Sequence, residues 1–165
     1  MRAFLKVVAI MLLPVAGLAA CDKNSDAAPS AAYDTSPESN AKFLADYAAK
    51  PGVTKLPDGL MYRVLKAGTG TSVLNGRDTV TVYYKGSLIN GAVFDQTKPD
   101  EPASFPAGAL IPGWVEALSK MKAGDTWELA IPSDLGYGEE GAGDKIPPNQ
   151  TLVFTMTLVK VEYAN

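Results

Sequence analysis

From Leu60 onward, apolar and polar positions alternate in short runs with the period of two that marks half-buried strands. "LMYRVLKAG" and "DTVTVYYKGSLI" are the first two runs, and Asn90-Gly91 between "SLI" and "AVFD" reads as a tight hairpin turn. "SFPAG" is a short extended piece. "PGWVEALSKM" begins with Pro112 and carries Trp114, Val115 and Leu118 at helical spacing, which predicts a short helix. "DTWELAI" then sets Trp127, Leu129 and Ile131 on one face, and "TLVFTMTLVKV" does the same with Leu152, Phe154, Met156 and Leu158. Strands with one polar face predict an antiparallel sheet covered on one side. A single internal helix to cover it makes the domain α+β, with five to six strands.

The pattern changes upstream. In "TSPESNAKFLADYAAKPG", Ser36 is a helix cap, Pro37 the first helical residue, and Pro51-Gly52 the stop. Phe43, Leu44 and Tyr47 form one narrow apolar stripe, so a short helix is expected over 36–50. Alone it is marginal in water, and it is expected to dock on the domain or on a partner. Asp22 to Thr35 is rich in Ala, Ser, Asp and Pro and reads as a flexible tether, its 14 residues reaching roughly 45–50 Å when fully extended. The first 20 residues hold Arg2 and Lys6 followed by an apolar run, Val7 to Leu18, of 12 residues. That is short of the roughly 20 needed to span a bilayer, so the segment reads as an export signal. Its end, Leu18-Ala19-Ala20-Cys21, matches the lipobox of bacterial lipoproteins, which implies lipidation of Cys21. The expected division is therefore 1–20 signal, 21–35 tether, 36–50 helix and 53–165 folded domain.

Composition narrows the chemistry. With no histidine, a Ser-His-Asp triad, a histidine base and histidine metal ligands are all excluded. Cys21 is the only cysteine, so no internal disulfide exists. The net charge is −3, and removing Arg2 and Lys6 makes it −5, which offers no footprint for nucleic acid. What remains is carboxylate, tyrosine, lysine, backbone and apolar surface. "LGYGEEGAGDKIPPNQTLVF" does contain a G-x-G-x-x-G at Gly136, Gly138 and Gly141. A dinucleotide site needs a helix to open at its end, and Pro147-Pro148 forbids one. Glu139, Glu140 and Asp144 would also repel a phosphate.

The order of these pieces carries a resemblance. "VTVYYKGSLINGAVFD", "LIPGWVEALSKMKAGD", "IPSDLGYG" and "IPPNQTLVFTMTLVKVE" together resemble the FKBP-type peptidyl-prolyl cis-trans isomerases, over about Leu60 to Glu162. "NAKFLADYAAKPGVTKLPDGLMYRVLKAGTG" further resembles the bacterial envelope branch of the macrophage infectivity potentiator type. The resemblance implies a strongly bent antiparallel sheet wrapped around the helix begun by Pro112, with an aromatic pocket for a prolyl ring between them. It implies that Tyr84, Phe94, Asp95, Tyr137 and Phe154 act on the substrate and that Leu110, Ile111 and Trp114 bind it. Trp114 would be the floor; Ile111 N–H and the Tyr137 hydroxyl would hold substrate carbonyls. The glycines of "GYGEEGAGDKIPP" would let a rim loop bend around Tyr137. No metal or cofactor is implied.

The partners implied are proline-containing client polypeptides at the bacterial envelope, facing the periplasm, with the lipid anchor as the only membrane attachment. Only the last turns of that branch's helical dimerisation region are present, so a monomer is expected. Departures from the pattern are specific. The arginine often paired with the pocket aspartate is absent, leaving Lys98 as a poorer partner. Ala103 stands where small members carry an aromatic, and Ala142 and Lys145 stand where histidine and isoleucine are common. Two other function classes fit the chain: a non-catalytic chaperone using the same pocket, and a structural lipoprotein with a vestigial one. The intact aromatic set argues against the last.

Overall fold

The computed structural model describes residues 33–165. The predicted signal, Cys21 and most of the predicted tether lie outside the described residues. Helix α1 spans Pro37–Ala48, with the Ser36 hydroxyl accepting from Ser39 N–H as the cap. Strands β1 (Val53–Lys55), β2 (Met61–Lys66), β3 (Thr79–Leu88), β4 (Val93–Gln96) and β5 (Ala103–Pro106) follow. After them come helix α2 (Pro112–Lys120), strand β6 (Thr126–Ile131) and strand β7 (Leu152–Glu162), with short 3-10 turns at Ala107–Ala109 and Ser133–Leu135.

The seven strands form one antiparallel sheet in the order β1-β2-β6-β7-β3-β4. β5 joins β3 on the same edge as β4, at Thr79–Val82, while β4 takes Lys85–Ser87. Between those two partners lies Tyr84, whose backbone N–H donates to the Thr97 hydroxyl while its carbonyl accepts from Thr97 N–H. The seventh strand beyond the expected five to six is β1. Its three residues are too few to show a period and form only because Lys55 lies opposite Met61 across the turn.

The inner face of the sheet packs on α2. Leu129, Ile131, Leu152, Met156 and Leu158 are fully buried there with Leu118 of the helix. Each such side chain contributes about 1.5–3 kcal/mol relative to exposure. Trp127, stacked on Tyr62 at 4.2 Å and 11°, belongs to this core as its alternation suggests.

The other face is not simply polar. Phe43 and Tyr47 of α1 bury themselves against Met61, Ile89, Ala130 and Val153, making a second core behind the sheet. Met61, Ala130 and Val153 are the outward positions of β2, β6 and β7, and Ile89 follows the end of β3, so helices cover both faces in part. Tyr47 also donates its hydroxyl to the Glu128 carbonyl at 3.3 Å. The chain before α1 is fixed as well: Tyr33 meets Phe43 edge-on at 5.3 Å, and the Thr35 carbonyl accepts from Gln150 Nε2. Residues 33–35, expected at the end of the tether, thus lie against the domain.

Candidate active site

Between α2 and the sheet lies a cavity of about 700 Å³. Tyr84 reaches it from β3, Phe94 and Asp95 from β4, Phe105 from β5, Trp114 from α2, and Phe154 from β7. Leu110 and Ile111 line it from the turn before α2, and Tyr137 and Ala142 to Ile146 from the loop before β7. All eight residues named from the sequence therefore face one space. Phe105 and Ile146 line it as well, beyond the eight that the sequence names. Phe105 was legible only as an aromatic in a short extended piece, and Ile146 as an apolar residue before two prolines.

Trp114 is 4% exposed, and three rings stand edge-on to it or nearly so. Tyr84 is at 5.1 Å and 82°, Phe154 at 5.1 Å and 81°, and Phe105 at 6.4 Å and 84°. Phe94 meets Phe154 edge-on at 5.5 Å. Edge-to-face contacts hold each ring by its quadrupole as well as by shape. The result is an apolar slot with an indole at its base. Glycine at 86 makes room for it: a Cβ there would stand 2.6 Å from ring atoms of both Phe94 and Phe154.

Two adjacent strand residues normally point to opposite faces. Phe94 and Asp95 both line the cavity because the β3–β4 register shifts between Gly86 and Ser87, leaving Phe94 as the extra residue of a bulge. The Asp95 carboxylate accepts the Tyr84 hydroxyl at 2.6 Å and Gln96 N–H at 2.9 Å. Lys98 is not its partner, because Lys98 pairs with Glu101 at 3.0 Å. Burial, and then the bond to Asp95, push the Tyr84 phenol well above its ordinary range. Asp95 thus leans on a neighbouring phenol in place of the missing arginine.

Pro112 places Ile111 at the cap of α2 in extended backbone, φ −59° and ψ 147°. The first N–H groups of a helix have no acceptor within it. Among the described residues no backbone carbonyl accepts from Ile111 N–H, so a donor is left at the cavity wall. Opposite stands Tyr137, 41% exposed. The loop carrying it has Gly138, Gly141 and Gly143 at positive φ, and a Cβ on Gly141 would meet the Ile146 carbonyl at 2.2 Å. The G-x-G-x-x-G is thus a bend, closed by the Ala142–Ile146 bridge. Lys145, the unusual rim residue, donates to the Phe94 carbonyl at 3.1 Å and ties this loop to β4. Ala103 pairs with Val82 and does not line the cavity; Phe105, two residues on, does.

Residues 70–159 match the family model "FKBP-type peptidyl-prolyl cis-trans isomerase", and 15–64 match "Domain amino terminal to FKBP-type peptidyl-prolyl isomerase". The outer membrane protein MIP of Legionella longbeachae is 49% identical over 123 residues, which is 74% of this chain and 52% of that protein. The FKBP-type 22 kDa peptidyl-prolyl cis-trans isomerase of Escherichia coli K12 is 47% identical over 121 residues, 73% of this chain and 58% of that one. The chain therefore spans about half the length of the curated relatives it matches. Among solved structures, the isomerase of Pseudomonas syringae pv. tomato superposes with TM-score 0.71 at 41% identity, covering 76% of this chain and 92% of that one. FkpA from Escherichia coli superposes at 0.72 with 41% identity, covering 76% and 59%. By motif order, pocket and overall match, the chain belongs to the FKBP-type peptidyl-prolyl cis-trans isomerases.

Proposed function

We propose that the protein accelerates cis–trans isomerisation of Xaa-Pro bonds in exported client polypeptides at the bacterial envelope. The observation that supports this most is the aromatic slot with Trp114 at its base and two hydrogen-bond donors, Ile111 N–H and the Tyr137 hydroxyl, at its mouth. In this reading the prolyl ring sits on Trp114 between Tyr84, Phe94 and Phe154, and Leu110 covers one side. Ile111 N–H and Tyr137 take the carbonyls flanking the ring.

Amide rotation faces a barrier of about 18–20 kcal/mol, because resonance places negative charge on oxygen and positive charge on nitrogen. Moving the bond from water to an apolar slot disfavours that separation, so the twisted, less polar state is relatively stabilised. A thousandfold acceleration asks for about 4 kcal/mol. Shape, desolvation and two hydrogen bonds suffice. Asp95 in this reading holds Tyr84 upright at the wall.

A protease-coupled assay on Leu-Pro and Phe-Pro peptides tests the proposal. Acceleration without added metal or cofactor is expected. No acceleration of any Xaa-Pro peptide, with prevention of aggregation of unfolded clients retained, would instead establish the non-catalytic chaperone.

The envelope location rests on the lipobox at Cys21, which lies outside the described residues. No helix among the described residues is long and apolar enough to cross a membrane. We take the lipid on Cys21 to be the sole attachment, more than one acyl chain being needed for stable anchoring, and the protein to act as a monomer. Cys21→Ser is expected to release the protein into the soluble envelope fraction with its activity intact. Firm membrane association of that variant would overturn the assignment.

A further inference from the structure

Asn40 and Gln150 are buried to 6% and 5% exposure, polar side chains at a contact otherwise made of Phe43, Tyr47 and the back of the sheet. Asn40 Nδ2 donates to the Ser36 carbonyl at 2.9 Å and to Gln150 Oε1 at 3.3 Å, while its Oδ1 accepts from Thr151 N–H at 2.8 Å. Gln150 Nε2 donates to the Thr35 carbonyl at 3.1 Å and to the Pro148 carbonyl at 3.0 Å. Phe43 and Tyr47, with Tyr33, Leu44 and Val53 packed around them, already give α1 an apolar contact with the sheet. A buried polar pair with its bonds made adds direction: it fixes where each backbone group must sit.

What it fixes is the return of the rim loop. Between Pro148 and Gln150 lies Asn149, at φ 59°, the one non-glycine among the described residues in the left-handed region. Asparagine tolerates that conformation better than other side-chain-bearing residues, so the turn is cheap here, and the hydrogen bonds on either side of it say where it sits. Asn149 N–H donates to the Gly138 carbonyl at 2.8 Å, and Gly138 follows Tyr137. From α1 to the residue at the pocket mouth the links are therefore hydrogen bonds and single peptide units.

We infer that Asn40 and Gln150 are positioning residues for the pocket, holding the turn at Asn149 and through Gly138 the placement of Tyr137. Helix α1 is thereby a brace for the rim as well as a cover for the sheet. The inference rests on the proposed isomerase activity for its kinetic readout alone.

The test uses the full chain in mild detergent. Asn40→Ala should lower kcat/KM on a Leu-Pro peptide by about threefold to tenfold, the range for losing one well-placed hydrogen bond from Tyr137. Phe43→Leu thins the outer core without touching the network, so at a similar loss of Tm it should stay within about twofold of wild type. In a Tyr137→Phe background, Asn40→Ala should add less than about twofold, since coupled residues are not additive. Gln150→Met enters the same network from the other side and serves if Asn40→Ala does not fold. Amide exchange over Gly138–Ile146 should quicken in Asn40→Ala and not in Phe43→Leu. Equal effects of the two variants on turnover and exchange, or full additivity with Tyr137→Phe, would overturn the inference. If wild type accelerates no peptide, the isomerase proposal falls, and the exchange contrast still decides for or against the brace.

Discussion

Truncating Phe94 to alanine separates a pocket that works by excluding water from one that works by acid–base chemistry. The ring is 8% exposed, packed edge-on against Phe154 at 5.5 Å and held next to Gly86. Removing a buried phenylalanine costs about 3–5 kcal/mol. One side of this ring borders an existing cavity, so the low end, about 3 kcal/mol, applies, equivalent to roughly 10 °C in Tm. The variant should still fold at 15 °C. Water then reaches the wall against which the amide twists, restoring the environment that favours the planar, charge-separated form. Losing about 1.4–2.7 kcal/mol of barrier lowering predicts a tenfold to hundredfold fall in kcat/KM. Tyr137→Phe removes one hydrogen bond and should cost a few-fold to about tenfold. Asp95→Asn keeps the shape and an acceptor for the Tyr84 hydroxyl, and should cost no more than about threefold. Rates come from the protease-coupled assay, with near-ultraviolet circular dichroism to confirm the fold. The chain has no histidine, and Tyr84 titrates far above neutrality, so the profile should be flat between about pH 6 and 8. An Asp95→Asn variant less active than Phe94→Ala, or a bell-shaped profile, would refute the argument.

Gly86→Ala should drive a methyl into both Phe94 and Phe154, losing about 1–3 kcal/mol in urea unfolding together with most peptide activity; a variant as active as wild type would mean that the rings can move aside. Tyr84→Phe keeps the ring edge-on to Trp114 and removes only the bond to Asp95, so peptide turnover should stay within about threefold. Acid should destabilise the protein in a defined window. The buried Asp78 carboxylate is held below its ordinary range by N–H bonds from Asn75, Leu74 and Ala164, and Asp34 is lowered to about 2, first by the Ser36 hydroxyl. Both pKa values are lower folded than unfolded, so their stabilisation is complete above about pH 5 and is lost as pH falls from about 4 through the folded values. Thermal melts from pH 7 to 2 read this, and Asp78→Asn should be less stable at pH 7 with a shallower acid limb.

The strands of the inner face were legible because they alternate: Leu129, Ile131, Leu152 and Leu158 announce their side of the sheet by spacing alone. The pocket was legible through motif order, which placed Tyr84, Phe94, Trp114 and Phe154 together although each reads locally as a core residue. Strand β1 was not, because three residues carry no period and its pairing depends on the turn before β2. Nor was the bulge that turns Phe94 and Asp95 the same way, since an extra residue looks like any other until its partner strand is known. Asn40 is the plainest case. Its spacing puts it on the stripe of Phe43 and Tyr47, yet a polar side chain reads as a break in that stripe until the distant Gln150 and Thr151 are seen to be its partners.

The strand at the centre of the sheet, β7, is the last of the described elements to be made. It separates β6 from β3 and pairs with β3 over ten registered positions, from Thr79 opposite Glu162 to Leu88 opposite Leu152. Without it the strands fall into two groups, β1-β2-β6 and β3-β4-β5, that share no edge. A chain emerging from its N-terminus therefore cannot close its core until residues 152–162 have arrived. Closure then joins segments some seventy residues apart, the kind of non-local pairing that puts folding in the range of milliseconds to seconds. Until that moment the aromatic slot has no Phe154 wall, and both half-sheets expose unpaired edges of the sort that aggregate. The same strand that closes the core therefore supplies the pocket's wall, and neither is complete without it.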